Sequence, residues 1–249
     1  MSFTALVYHE IREGTMFSPE QAHPIEVRQD YEDNLPAPLF ITLESFTMQM
    51  KYLHENNYHT LTLEEVRNYY YDKAKLPDKS VLLTFDDCYQ SIARYAYPLL
   101  KKYGFHGVAF VVSGWLNSKK TAFMPERSVC LTQHELEGMA DVFEYANHTD
   151  LFHTRSSAAV SRMMEADDLE FSEDLDRCNT QPIVNAKDTF AYPFGLFADR
   201  NVSLLKSKGF LLAFTTNNGP NTKETDPLLL NRMVVPYFMD LTAFKEILG

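Results

Sequence analysis

A chain of 249 residues, 45% apolar and 23% charged, has room for a sizeable α/β core and does not have the composition of a disordered segment. Its formal charge of −11 argues against a nucleic-acid partner, whose affinity rests on Lys and Arg displacing counterions, and suits a neutral or cationic substrate better. Three widely spaced cysteines, Cys88, Cys130 and Cys178, form no CxxC pair and point away from a zinc ribbon or a disulfide framework.

In chain order, Met1–His9 lacks the basic region and long apolar run of a signal peptide, and no stretch is apolar enough to span a membrane. The expectation is a cytoplasmic protein, or a cell-surface one if an export signal lies outside this chain. A first strand is expected over Ala5–Tyr8, with His9 directly after it. Residues 10–40, rich in Glu, Pro and Asp, read as a long loop of the kind that borders a site. Phe46, Met50 and Leu53 form a core-facing stripe on a helix over Leu43–Asn57, and Thr62-Leu-Glu-Glu65 is a capping box that starts another. A buried strand over Val81–Phe85 is followed by a helix over Ser91–Tyr103, kinked near Pro98 and stopped at Gly104.

Further strands are expected at Gly107–Val112, Phe143–Ala146, Thr189–Tyr192, Leu211–Thr215 and Arg232–Val235. A capping box at Thr132-Gln-His-Glu135, a helix ending at Gly209 and an exposed loop over Asn217–Asp226 lie between them. Strands alternating with helices imply a mainly parallel α/β sheet, and the absence of repeats or linkers implies one domain over residues 1–249.

Four strand ends carry chemistry. The strand Val81–Phe85 runs into adjacent carboxylates, Asp86 and Asp87, at the end where parallel sheets keep their active sites. Such neighbours repel unless a proton or cation neutralises one, and a metal on Asp87 would leave Asp86 ionised as a base. His148 and His153 follow another strand. Five residues apart, they would diverge on a helix or strand and could converge only in a loop. Two histidines with one carboxylate would suit catalytic zinc with an open position. His9 ends the first strand, and Phe190-Ala-Tyr-Pro-Phe-Gly195 ends in a turn able to offer the Phe194 N–H to an oxyanion. Taken singly, these groups read as readily as solvated turn carboxylates, unrelated surface histidines and a structural turn.

Together and in this order the segments resemble the polysaccharide deacetylase family, also known as the NodB-homology or carbohydrate esterase family 4 group. Leu82-Leu-Thr-Phe-Asp-Asp87 is similar to its first motif, Asn147-His-Thr-Asp-Leu-Phe-His153 to its second and Ala191-Tyr-Pro-Phe-Gly195 to its third. The resemblance implies a distorted (β/α)7 barrel and a divalent metal, zinc first, on Asp87, His148 and His153, with Asp86 as catalytic base. It further implies hydrolysis of N-acetyl groups on an N-acetylglucosamine polymer or oligomer. The wider histidine spacing and the early Tyr8-His9 resemble the branch acting on poly-N-acetylglucosamine, in which the general acid comes from the amino-terminal end and would be His9. No histidine follows His153 to fill the family's late Leu-x-His motif. Cys88 stands where glycine is usual, and Ala191 where many relatives carry an arginine that orients the base. Arg232 is the candidate substitute, grouped with Phe194 on the oxyanion and substrate side. These departures leave two alternatives, an O-acetyl carbohydrate esterase and a carbohydrate-binding domain without turnover.

Overall fold

The computed structural model describes residues 2–249, and its frame is a curled parallel sheet. Seven strands form its main path: β1 (Thr4–Tyr8), β2 (Ser80–Asp86), β3 (Gly107–Val111), β4 (Phe143–Asn147), β5 (Ala186–Ala191), β6 (Leu212–Phe214) and β7 (Met233–Val234), and an eighth short strand, His59–Thr60, pairs with the start of β2. The seven lie in the order β6-β5-β4-β3-β2-β1-β7, and every neighbouring pair is parallel. Past β6 the chain returns beside it: the Ala213 N–H donates to Pro227 O and the Thr215 N–H to Leu230 O. Three residues after Leu230 it pairs with β1. The segment from Pro227 to Val234 thus brings the sheet back on itself, giving the distorted (β/α) barrel expected from the sequence.

All seven residues of β2 are buried, as the continuous apolar run requires of a strand covered on both faces. Alternation sorts them. Val81, Leu83 and Phe85 pack outward against a cluster containing Phe46, Met50 and Leu53 of α1 (Leu43–Glu55). Leu82 packs in a second cluster with Ala5, Val108, Phe110, Ala146 and Phe214 inside the barrel. Each of these large side chains contributes about 1.5–3 kcal/mol by leaving water. Period two then puts Thr84 and Asp86 on the same inner face as Leu82.

The helices begin and end for local reasons. Thr62 and Thr132 close complete capping boxes with Glu65 and Glu135 at the starts of α2 (Leu63–Tyr71) and of a short helix over Gln133–Glu137. The kink expected near Pro98 takes the form of a π turn, Ile92–Ala96, ahead of α3 (Tyr97–Tyr103). Proline has no N–H for a regular helical bond, and the wider turn accommodates it. Gly104 ends α3 in the left-handed region at φ 67°. Two later helices matter for the site region, α4 (Asp168–Thr180) and α5 (Asp199–Ser207). No helix among the described residues is long and apolar enough to cross a membrane.

Residues 10–40 contain more order than their composition suggests. Glu10–Arg12 pairs with Phe40–Thr42, and Ile25–Glu26 with Ser128–Val129, in ladders too short to leave a periodic signal. Their anchor is a buried ion pair between Glu10 and Arg12. Glu10 also accepts from the Ser91 and Ser128 hydroxyls, and Arg12 donates to the carbonyls of Pro125 and Arg127.

Candidate metal centre

Strand register assembles the site. Tyr8 pairs with Phe85, so the next residues, His9 and Asp86, are level on the inner face. Asp86 pairs with Phe110 and Phe110 with Ala146, which places His148 on the same face one step beyond Ala146 in the alternation. Asp87 would point outward, but both it and Cys88 turn into the left-handed region at φ 67° and 58°. That turn delivers a second carboxylate to the same rim. The loop after β4 bends at Thr149, φ 77°, and carries His153 back toward His148, ring centroids 4.7 Å apart.

One cavity of about 230 Å³ holds these groups: His9, Asp86, Asp87, His148, His153 and Phe194 all line it. Part of its opposite wall is the segment from Tyr31 to Leu39, tied down by Asp33 accepting from Arg155 at 2.9 Å. Trp115, the only tryptophan, and Phe194 flank the His153 ring with centroids 4.5 Å away on each.

Asp87 Oδ1 lies 3.7 Å from His148 Nε2 and 3.4 Å from His153 Nε2. A tetrahedral ion with arms of about 2.0–2.1 Å separates its donors by roughly 3.3 Å; both Asp87 separations are near that value, and all three ligand atoms lie within 4.8 Å of one another. Asp87 Oδ1 is buried without a hydrogen-bond partner. The His148 Nδ1–H donates to Ala191 O at 2.7 Å, which fixes the tautomer and leaves Nε2 with its lone pair toward Asp87. Burial, joined by Asp86 beside it, pushes the Asp87 pKa well above the ordinary carboxylate range. Burial, then His148, pushes that of His153 well down. Neutral imidazoles around a carboxylate with no positive partner are what a cation needs.

Asp86 has the opposite environment. Arg232, fully buried, grips it with both guanidinium nitrogens, Nη1 to Oδ1 at 2.6 Å and Nη2 to Oδ2 at 2.9 Å, while its Nε donates to Thr215 O. Burial alone would raise the Asp86 pKa; Arg232, then His148 and His9, outweigh it and bring it down to about 2. Arg232 comes from the last segment of the sheet and reaches the carboxylate that the arginine absent at position 191 would orient. It does not line the cavity. His9 Nε2 stands 3.7 Å from Asp86 Oδ2, and burial lowers the His9 pKa to about 4 against the pull of Asp86. Cys88 faces the core, its thiol toward Phe110 O, and is outside the group of possible ligands.

At the third motif, Phe194 adopts φ 59° and Gly195 φ 70°. The Gly195 and Leu196 N–H groups donate to Tyr192 and Pro193 carbonyls, and the Phe194 N–H is in neither bond. A Cβ on Gly195 would sit 2.0 Å from Thr216 Oγ1, so glycine is required there by both dihedral and space. The residues that sequence reasoning missed are Tyr31, Asp33, Trp115 and Arg155 around the cavity. Tyr31 and Asp33 lie in the 10–40 segment, which does border the site as its length and composition suggested, and the proximity of Arg155 to His153 in the chain could have signalled a third; nothing marked Trp115.

Residues 73–213, more than half of the chain, match the family model described as polysaccharide deacetylase. Among curated proteins, the poly-beta-1,6-N-acetyl-D-glucosamine N-deacetylase of Staphylococcus aureus is 27% identical over 200 residues, covering 78% of this chain and 67% of its own. The enzyme of the same name from Staphylococcus epidermidis is 26% identical over 83% of this chain and 71% of its own. Among solved structures, the Streptococcus pyogenes deacetylase PplD, in complex with acetate, superposes with a TM-score of 0.77 at 23% identity over 100% of this chain and 99% of that one. IcaB from Ammonifex degensii gives 0.73 at 22% identity, covering 99% and 95%.

Proposed function

The chain belongs to the polysaccharide deacetylase family, and from that premise we propose that it hydrolyses N-acetyl groups on N-acetylglucosamine-containing polysaccharide or oligosaccharide. The observation that carries the reading is the unequal treatment of two adjacent buried aspartates. Asp86 is neutralised by a bidentate arginine, whereas Asp87 Oδ1 has no hydrogen-bond partner and faces two imidazole nitrogens. An ionised base beside a carboxylate and two imidazoles suited to a cation are the parts an acyl hydrolase needs. The names of the staphylococcal relatives support the substrate class.

Asp87, His148 and His153 would hold a divalent cation, Zn²⁺ first, the same donors also suiting other ions. When bound, such a cation would supply Lewis acidity to the acetyl carbonyl and lower the pKa of water toward neutrality. Asp86 takes the proton of the attacking water. Its fork to Arg232 fixes both oxygens and keeps the carboxylate ionised, at the expense of basicity. His9, with a pKa lowered to about 4, is neutral at rest and must gain a proton before it can give one. His9 Nε2 lies 3.7 Å from Asp86 Oδ2, longer than a hydrogen bond, so the proton reaches it by closer approach of the two side chains or through one water. The proton passes from water to Asp86, then to His9, and finally to the departing nitrogen, which leaves poorly without it. The Phe194 N–H is the protein's own donor to the oxyanion. The products are acetate and a free amino sugar.

Neither Cys88 nor Ala191 removes a part of this machinery, since Arg232 reaches Asp86 from the residue before β7 and Cys88 turns into the core. Zinc-loaded protein is expected to release acetate from an N-acetylglucosamine oligomer. Asp86→Asn should abolish release while metal content stays at the wild-type level. Undiminished release by Asp86→Asn would remove Asp86 from the role of base.

A further inference from the structure

Asp174, on α4, is fully buried and does not line the cavity. Each of its carboxylate oxygens accepts one of two consecutive backbone N–H groups, Asp150 to Oδ1 and Leu151 to Oδ2, both at 2.8 Å. Those amides stand in the middle of the loop that joins His148 to His153. Successive N–H groups converging on one anion form a nest, a geometry that fixes the backbone on either side. Burial pushes the Asp174 pKa up to about 6 despite these donors. Its ionised form is therefore a burden on folding stability above pH 6, not a source of it.

The rest of the loop is docked with equal care. The Thr149 N–H donates to Asn147 Oδ1 at 2.8 Å, and the Ser113 and Gly114 N–H groups donate to the carbonyls of Thr149 and Asp150 at 3.1 and 2.9 Å. The Asp150 side chain accepts from Ser113 Oγ at 2.6 Å and from Arg177 Nε at 3.2 Å. Arg177 also reaches Asp174 at 3.4 Å and so ties the two carboxylates together. A Cβ on Gly114 would come within 2.5 Å of Asp150 O, so even the close approach of that loop depends on glycine.

We infer that Asp174 is a positioning residue for the metal centre: by clamping the Asp150 and Leu151 amides it sets the distance between the His148 and His153 imidazoles. Histidines five apart do not converge in regular structure, and the bend that makes them converge is the one this carboxylate holds. The inference rests on the metal reading above. It acts through backbone geometry and adds no ligand.

The test is the Asp174→Asn variant of the 249-residue chain, isosteric but able to offer one acceptor oxygen and a competing NH₂. Zn²⁺ affinity is measured by competition with a chromophoric chelator, and site geometry by the visible absorption of the Co²⁺-loaded protein. We expect Kd to rise about 10–100-fold, the range for lost supporting contacts around metal ligands, with an altered Co²⁺ spectrum. As a control for mere destabilisation, Leu205→Ala removes core packing from α5 and should lower Tm without changing Kd. If Asp174→Asn fails to fold, Arg177→Met, at a half-exposed side chain, should still raise Kd several-fold. Wild-type Kd and spectrum in Asp174→Asn, or in Arg177→Met where the former cannot be purified, overturn the inference while leaving the metal site standing. A wild-type chain that binds neither ion overturns the metal reading, and this inference with it.

Discussion

Replacing Arg232 by methionine should disable the protein in two separable ways. Arg232 and Asp86 are a buried bidentate pair, and deleting one member leaves the other charge uncompensated. Breaking such a pair costs about 3–5 kcal/mol. At roughly 2–4 °C per kcal/mol for a chain of this size, Tm should fall by about 6–20 °C. The chemical effect is a change of sign at Asp86. Burial raises its pKa and Arg232 is the foremost group bringing it down to about 2, so without the guanidinium the carboxyl moves up and the acid limb of kcat/KM for acetate release moves up with it. Arg232→Lys keeps a cation but loses the fork, and should fall between wild type and Arg232→Met in both readouts. The assays are thermal unfolding and kcat/KM from pH 4 to 9. A stable Arg232→Met variant with an unshifted pH profile would refute the pairing as the source of the base's ionisation.

The remaining expectations are narrower. His9 has a folded pKa of about 4 against 6.5 for the free side chain, so the unfolded chain binds the extra proton between those values and stability is lost as pH falls through that window. For the metal-free protein this amounts to about 3 kcal/mol; His9→Gln should flatten that part of the pH dependence measured by urea unfolding, and an unchanged slope would count against it. Because Cys88 sits at φ 58°, Cys88→Gly should be as stable as Cys88→Ala or more so, inverting the usual preference for alanine of about 0.5–1 kcal/mol, and both should keep wild-type metal content. A more stable alanine variant would contradict the strain argument. Gly195→Ala, which would place a methyl 2.0 Å from Thr216 Oγ1, should displace Phe194 and lower kcat for acetate release at least tenfold with metal content preserved. Unimpaired kcat there would free the third motif from any part in the oxyanion site.

What could be read from the chain followed the reach of each interaction. β2 was legible because a strand buried on both faces must be apolar throughout, and Asp86 stood out as the point where that run stops. His9 and His148 fall on the inner face by the same alternation. Asp87 obeys no period, since its placement depends on left-handed dihedrals that a glycine at position 88 would have advertised and Cys88 conceals. Arg232 was visible only through family resemblance: 146 residues separate it from Asp86, and the contact exists because β7 closes against β1. The cavity wall from Tyr31 to Leu39 is held between a two-residue ladder at Ile25–Glu26 and a three-residue one at Phe40–Thr42, with single polar contacts such as Asp33 to Arg155. Asp174 looks from the sequence like one more acid on the polar face of a charged helix, and nothing in its neighbours shows that both oxygens are turned inward.

The most direct test of the central claim is a crystal structure of the zinc-soaked protein with anomalous differences collected on both sides of the zinc edge. One strong peak is expected, bonded to Asp87 Oδ1, His148 Nε2 and His153 Nε2 at about 2.0–2.1 Å, with Asp86 still held by Arg232 and not bonded to the ion. A peak elsewhere, or an ion bound by Asp86 with Asp87 left aside, would contradict that claim.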